Sequence, residues 1–217
     1  QQTVEERYLA WLADQQRAGA AFTPEQQQWL DAIRDHIATS LAIEPDDFED
    51  VPFSHLGGLG RAHELFGRKV GVVCGPHTFT YEAFAERCQT LATALPTLGV
   101  ERGDRVAYLS FNTHKLLEGY YGVVQAGAIV MPLNVRLSCG ELTEIVNHAG
   151  VKVRLYESDF AGLVATLRPA CPSVARWVSL DGPGGDLSYD ELMAAGHPEE
   201  PDILAVDEDS VAELFYT

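Results

Sequence analysis

From Lys69 onward the chain alternates short runs rich in β-branched residues with amphipathic stretches of helical period, and this alternation restricts the fold more than any other feature. Val70–Cys74, His77–Thr80, Val106–Ser110, Ile129–Pro132, Val151–Tyr156, Trp177–Leu180 and Val211–Tyr216 read as strands. Tyr81–Leu98, Lys115–Ala126, Gly140–His148, Phe160–Arg168 and Tyr189–Ala194 read as helices between them. A run that is apolar without alternation has to be covered on both faces, and a helix between two such runs makes a parallel crossover. The expected fold class is therefore α/β, a mostly parallel sheet with helices on both faces. Turn residues fall where this reading needs them. Gly99 follows the first long helix, Gly103-Asp104 precedes the next strand, Gly127 and Gly150 close two further helices, and Gly182-Pro183-Gly184-Gly185 is a surface loop.

The first 66 residues follow a different rule. Val4, Tyr8, Trp11 and Leu12 recur at helical spacing until Gly19 stops them. Thr23 is an N-cap, Pro24 suits the first helical position, and Gln26 completes a capping box. Trp29, Leu30, Ile33, Ile37 and Leu41 then form one apolar stripe of the kind that packs on a partner helix. Beyond Glu44-Pro45-Asp46-Asp47, the run Gly57-Gly58-Leu59-Gly60 reads as a turn leading into a short helix that ends at Phe66-Gly67. With hardly a strand signal here, the expectation is a small all-α module over residues 1–66 and an α/β region over 67–217.

A length of 217 residues accommodates two small domains as readily as one large one. The chain carries 32 acidic and 15 basic residues, a net charge of −17. Residues 1–66 hold 4 basic and 12 acidic groups and the remainder 11 and 20, so the acidity is shared. Such a surface repels phosphate backbones and anionic lipid, and no direct nucleic-acid binding is expected. No apolar run approaches the ~20 residues that span a bilayer. The chain starts at Gln1 and lacks a basic segment followed by an apolar one, so it reads as a piece of something longer. Cys74, Cys88, Cys139 and Cys171 contain no C-x-x-C and pair with no His at ligand spacing. Neither a metal site nor a disulfide framework is expected, and the reading is of a reduced, cytoplasmic protein. His36 and His148 are expected in solvent or at helix caps.

Three tempting motifs fail on their details. From Gly58 the G-x-G-x-x pattern reaches His63 where a dinucleotide loop needs Gly, and no strand precedes it. Asp46-Asp47 and Glu49-Asp50 lack the order of a calcium loop and read as a solvated acidic face. Phe111, Tyr120 and Tyr121 could border a tunnel, but aromatics on a helix fill cores more often.

Longer stretches carry a resemblance. FTYEAFAERCQTLATAL, GVERGDRVAYLSFNT, LLEGYYGVVQAGAIVMPLNVRLSCGELTEIVNHAGVKV and VAELFYT occur in this order over about 68–217. The most specific parts are Gly103-Asp104-Arg105-Val106, Asn112-Thr113, Gly127-Ala128, Pro132-Leu133-Asn134 and Tyr216-Thr217. Together they resemble the N-terminal part of the AMP-forming acyl-CoA synthetases, within the adenylate-forming ligases. The resemblance implies that a carboxylate, a fatty or aromatic acid, attacks the α-phosphate of Mg-ATP. The acyl-adenylate then passes its acyl group to coenzyme A. ATP, Mg and CoA are thus the cofactors implied for the full-length parent, with none expected to bind this chain tightly. In the family the phosphate-binding loop begins at the position of Thr217, the one cofactor-binding residue this implies. The acyl pocket walls, the ribose-binding acid and the C-terminal domain with its catalytic lysine lie beyond it. No catalytic or metal-binding residue is assigned within the chain, and no ligase activity is expected of it.

The first segment resembles something unrelated. Thr23-Pro24-Glu25-Gln26, Trp29-Leu30, Ile33-Arg34-Asp35-His36-Ile37-Ala38, Ile43-Glu44-Pro45-Asp46-Asp47-Phe48 and Gly57-Gly58-Leu59-Gly60-Arg61-Ala62 are similar to the C-terminal tail of type I restriction enzyme R subunits. There the segment is a helical module that helps dock the motor subunit on the methyltransferase core. This implies a protein partner for residues 1–66 and an alternative role as a non-catalytic docking module. Taken together, the two resemblances read as a chimera joined near Phe66-Gly67. A free-standing Rossmann-like nucleotide binder is disfavoured, because no Gly-rich loop follows any expected strand.

Overall fold

The computed structural model describes residues 55–199 and 210–216, all within the unit Pro52–Thr217. The helices expected before residue 55 lie outside the described residues, and so does Thr217. The described elements run α1 (His55–Phe66), β1 (Val70–Cys74), β2 (His77–Thr80), α2 (Tyr81–Ala94), β3 (Arg105–Leu109), α3 (His114–Gln125), β4 (Ile129–Pro132), α4 (Cys139–Ala149), β5 (Val151–Tyr156), α5 (Ala161–Leu167), β6 (Arg176–Ser179), β7 (Leu187–Ser188) and α6 (Tyr189–Ala194). Short 3-10 turns occupy Leu95–Leu98, Ser158–Phe160 and Arg168–Ala170.

β1 and β2 form an antiparallel hairpin, and β4-β3-β5-β6-β7 form a wholly parallel sheet. Val106 stands opposite Val130 on one side and Val153 on the other, so the β-branched runs meet at the centre of the sheet. The pleat sends alternate residues to opposite faces. Val106, Tyr108, Val130, Val153 and Val178 meet Leu91, Leu116, Val123 and Leu192 from α2, α3 and α6. Ala107, Leu109, Met131, Tyr156 and Trp177 meet Leu142, Val146, Val164 and Leu167 from α4 and α5. Helices cover both faces, as the unbroken apolar runs require.

Local chemistry accounts for the helix ends. The Thr80 hydroxyl accepts a hydrogen bond from the Ala83 N–H at 3.1 Å and starts α2. Ser138 and Glu141 make a reciprocal capping box on α4, and Ser188 and Glu191 make another on α6. α4 stops at Gly150, whose φ of 63° suits a residue without Cβ.

Four sequence expectations are altered. Gly57-Gly58-Leu59-Gly60 is not a turn but the first half of α1. Leu59 is buried against Phe84, Ala85 and Cys88 of α2, and that packing offsets the ~1 kcal/mol each interior glycine costs. The contact crosses the Phe66-Gly67 boundary read from the sequence. The long helix expected over Tyr81–Leu98 ends at Ala94 and tightens into a 3-10 turn, because Pro96 has no N–H to continue the ladder. Residues 211–216 form no extended strand, only a parallel bridge from Glu213 to Val130 at the outer side of β4. β7, two residues long, went unread because no periodicity can register in so short a strand. Among the described residues no helix is long and apolar enough to cross a membrane.

Candidate functional site

In a parallel sheet the strands all leave at one edge, and open α/β folds place ligands outside that carboxyl edge. The sheet sorts the motif residues between its two edges. Gly103-Asp104-Arg105 and Gly127-Ala128 lie at the amino edge, where they do structural work. The Gly103 N–H donates to the Gly127 carbonyl at 2.9 Å, and the Asp104 carboxylate accepts from the Glu101 N–H at 2.9 Å. Arg105 donates through Nε to the Ala149 carbonyl at 2.6 Å and through a terminal nitrogen to the Gly150 carbonyl at 2.8 Å. It thus satisfies carbonyls left open at the C-terminal end of α4.

Asn112-Thr113 and Leu133-Asn134 leave β3 and β4 at the opposite edge. Thr113 is the N-cap residue of α3. The Asn134 side chain accepts from the Arg136 N–H at 3.0 Å and turns the chain toward α4. Beside them, Phe111 and Phe160 place their rings 5.2 Å apart, with Phe111 half exposed. The Glu157 carboxylate, 8% exposed, accepts from the Phe111 N–H at 3.2 Å. Burial raises its pKa, with the Phe111 hydrogen bond partly opposing and Asp181 and Asp159 adding to the rise. Asp181 is engaged as a cap, accepting from the Ser158 N–H at 2.6 Å and its hydroxyl at 3.0 Å. Ser110 Oγ is buried here without a hydrogen-bond partner among the described residues. Lys115, at the start of α3, donates to the Leu180 carbonyl.

These groups can order loops and present an aromatic surface. They do not fit a triphosphate by themselves, since Glu157, Asp159 and Asp181 would repel one and Lys115 is already engaged. Among the described residues no group of three or more His, Cys, Asp or Glu side chains is placed to hold a metal ion, and the four cysteines are free. Thr217, the cofactor-binding residue implied by resemblance, has no described position.

Two tethers hold the segment leading to it. The Val130 N–H donates to the Ala212 carbonyl and the Leu214 N–H to the Val130 carbonyl, both at 3.0 Å. The Tyr216 hydroxyl lies 2.6 Å from His148 Nδ1, with the two rings edge-on at 5.8 Å. His148 was expected at a cap or in solvent; it is exposed in the last turn of α4, and its partner lies 68 positions away. Tyr120 and Tyr121 pack partly buried against the core formed by α2, α3 and α6, and Tyr121 meets Phe84 edge-on at 5.8 Å.

Sequence reasoning missed two buried charges. Glu118, 0% exposed, takes a bidentate bond from Arg87 at 2.5 and 3.2 Å and a third from the Tyr189 hydroxyl at 2.6 Å. This joins α2, α3 and α6 across the sheet face. The nearest sequence signal is a polar residue at a core-facing helical position. Arg154, also fully buried, lies over the Trp177 ring with no hydrogen-bond partner for its guanidinium among the described residues, and burial lowers its pKa to about 10. The Lys152, Arg154, Tyr156 alternation would place it on one face of β5, but nothing local marks that face as buried on both sides.

Comparison with known proteins gives two family matches. Residues 60–217 match the family described as AMP-binding enzyme, and residues 1–73 match the EcoEI R protein C-terminal family. The two matches overlap over residues 60–73, the later part of α1 and most of β1. A long-chain-fatty-acid–CoA ligase of Thermus thermophilus is 39% identical over 166 residues, 73% of this chain and 30% of the ligase. A 4-hydroxybutyrate–CoA ligase of Metallosphaera sedula is 28% identical over 73% of this chain and 31% of its own length. Among solved structures, a Mycobacterium tuberculosis fatty acyl CoA synthetase superposes with a TM-score of 0.66 at 26% identity, covering 75% of this chain and 32% of the synthetase. The anthranilate CoA ligase AuaEII, at 22% identity and a TM-score of 0.70, covers 78% of this chain and 32% of its own and shares the fold. The chain thus spans about a third of the length of these relatives. With a parallel sheet covered by helices on both faces and a match over well more than half its residues, the chain belongs to the AMP-binding enzyme family.

Proposed function

We propose that this chain is the N-terminal portion of an AMP-forming carboxylate–CoA ligase, a scaffold that carries the segment leading into the phosphate-binding loop. The observation behind this reading is the family match that runs through residue 217, across a sheet whose outer side binds residues 212–214 in parallel with β4. Thr217 is then the first residue of that loop. The whole enzyme uses ATP, Mg and CoA and activates a fatty or aromatic acid, in keeping with the names of the relatives. The described residues supply no cradle for a triphosphate. Removing even one preorganised donor from a charged transition state commonly costs ~100- to 1,000-fold in rate. The 217-residue chain is therefore expected to show no ATP–pyrophosphate exchange with a panel of fatty and aromatic acids. Exchange above background would overturn this reading.

The match of residues 1–73 to an R protein C-terminal segment favours a second role, docking on another protein. A purified type I methyltransferase core should then retain the chain on a column and release it when residues 1–54 are deleted. Equal retention of both forms would remove this role.

A further inference from the structure

The last described residues are held by an arrangement that neither the family match nor the proposed activity assigns. Past Leu214, the tether to the rest of the molecule is a side-chain bond from the Tyr216 hydroxyl to His148 Nδ1, 2.6 Å long and reinforced by the edge-on contact of the two rings. An imidazole nitrogen and a phenol can form this bond in either direction, because each can donate or accept. The His148 end is itself fixed. α4 stops one residue later, and Arg105 at the start of β3 holds the carbonyls of Ala149 and Gly150. Tyr216 also rests against the apolar layer between the sheet and α4 and α5. The direction in which the chain leaves Tyr216 is therefore referred, through His148 and Arg105, to β3, an interior strand of the sheet.

We propose that His148 is a positioning residue for the loop that opens at Thr217: it latches the Tyr216 hydroxyl and fixes the direction of the chain into that loop. The proposal rests on the reading of Thr217 as the first residue of the phosphate loop. His148 is exposed, so its replacement leaves the core intact. His148→Phe keeps a ring against Tyr216 and removes the hydrogen bond, Tyr216→Phe removes it from the other side, and His148→Gln restores a polar partner.

Hydrogen–deuterium exchange of the 217-residue chain, without nucleotide, tests the latch. His148→Phe and Tyr216→Phe should each speed exchange of the Leu214 amide, whose bond to the Val130 carbonyl the latch backs up, about fivefold, the worth of one net hydrogen bond. The double variant should be no faster than either, His148→Gln should recover part of the protection, and amides of β3 and β5 should not change. The 15N shift of His148 Nδ1 should move in Tyr216→Phe. Unchanged exchange at Leu214, or strictly multiplicative effects in the double variant, would overturn the latch. The loop reading is tested separately by grafting residues 60–217 into the Thermus ligase in place of its matching third. There His148→Phe should raise KM for ATP about fivefold with kcat kept, and His148→Gln should restore it. If exchange responds and KM does not, His148 anchors the strand without positioning the loop, and the proposal fails through the loop reading rather than the latch.

Discussion

Glu157 shows how a single side chain at the carboxyl edge couples to the stability of the fold. Its carboxyl is nearly buried between β3 and β5, and burial raises its pKa above the ordinary 4.5. A raised acid binds its proton more tightly folded than unfolded. Its contribution to stability is thus full below the ordinary value and is lost as the pH rises through the raised one. Glu157→Gln keeps an acceptor for the Phe111 N–H and has no charge to lose. Urea denaturation should find that the variant gains on wild type as the pH rises from the ordinary carboxylate value through the raised one. A stability difference that does not vary with pH would contradict this. None of these partners is visible in sequence, because Phe111, Glu157 and Asp181 come from three loops that only the parallel register aligns. The same holds for Arg154. A buried guanidinium without a partner is costly, and no local pattern announces it.

At the level of helices, α2 and α3 approach closely because of what α3 lacks. A Cβ on Gly122 would meet the Cys88 carbonyl oxygen at 2.7 Å, and one on Gly119 would meet the Tyr108 ring at 2.6 Å. Both positions face other elements, one the backbone of α2 and the other a fully buried ring of β3. Gly122→Ala forces the rigid side of that contact to move, and we expect a loss of about 1–3 kcal/mol of unfolding free energy despite the better helix propensity of Ala. A gain in the urea midpoint would show that the helices can part freely. The GYYG spacing of these glycines is plain in the sequence, yet it could not be told from a helix weakened by two flexible residues. The Glu118–Arg87–Tyr189 cluster lies close by and ties the same helices to α6. The caps of α4 and α6 carry a local signal that went unread, since a hydroxyl three residues before a glutamate satisfies its own helix end wherever the helix lies.

For the molecule as a whole, the boundary between the two family matches is where local pattern and packing diverge. The first half of α1 carries three glycines and reads as a turn, but Leu59 is 6% exposed against α2. Leu59→Ala should cost about 2–3 kcal/mol if this contact belongs to the α/β unit, and limited proteolysis should leave a core that begins before Leu59. A core beginning at Gly67, with Leu59→Ala silent, would return α1 to the first segment. Except for β7 and the expected strand over Val211–Tyr216, the element order and the parallel class were legible from residue 69 onward, because burial on both faces imprints an unbroken β-branched run and crossover helices imprint their own period. The left-handed glycines Gly99, Gly103, Gly127 and Gly150 were legible because each turn closes within a few residues. Folding alone placed the Gly103 and Gly127 turns at one edge and Asn112, Asn134 and Glu157 at the other, and it alone joined His148 to Tyr216. Those relations depend on strand register and helix placement, which bring together residues far apart in the chain and leave no periodic trace in it.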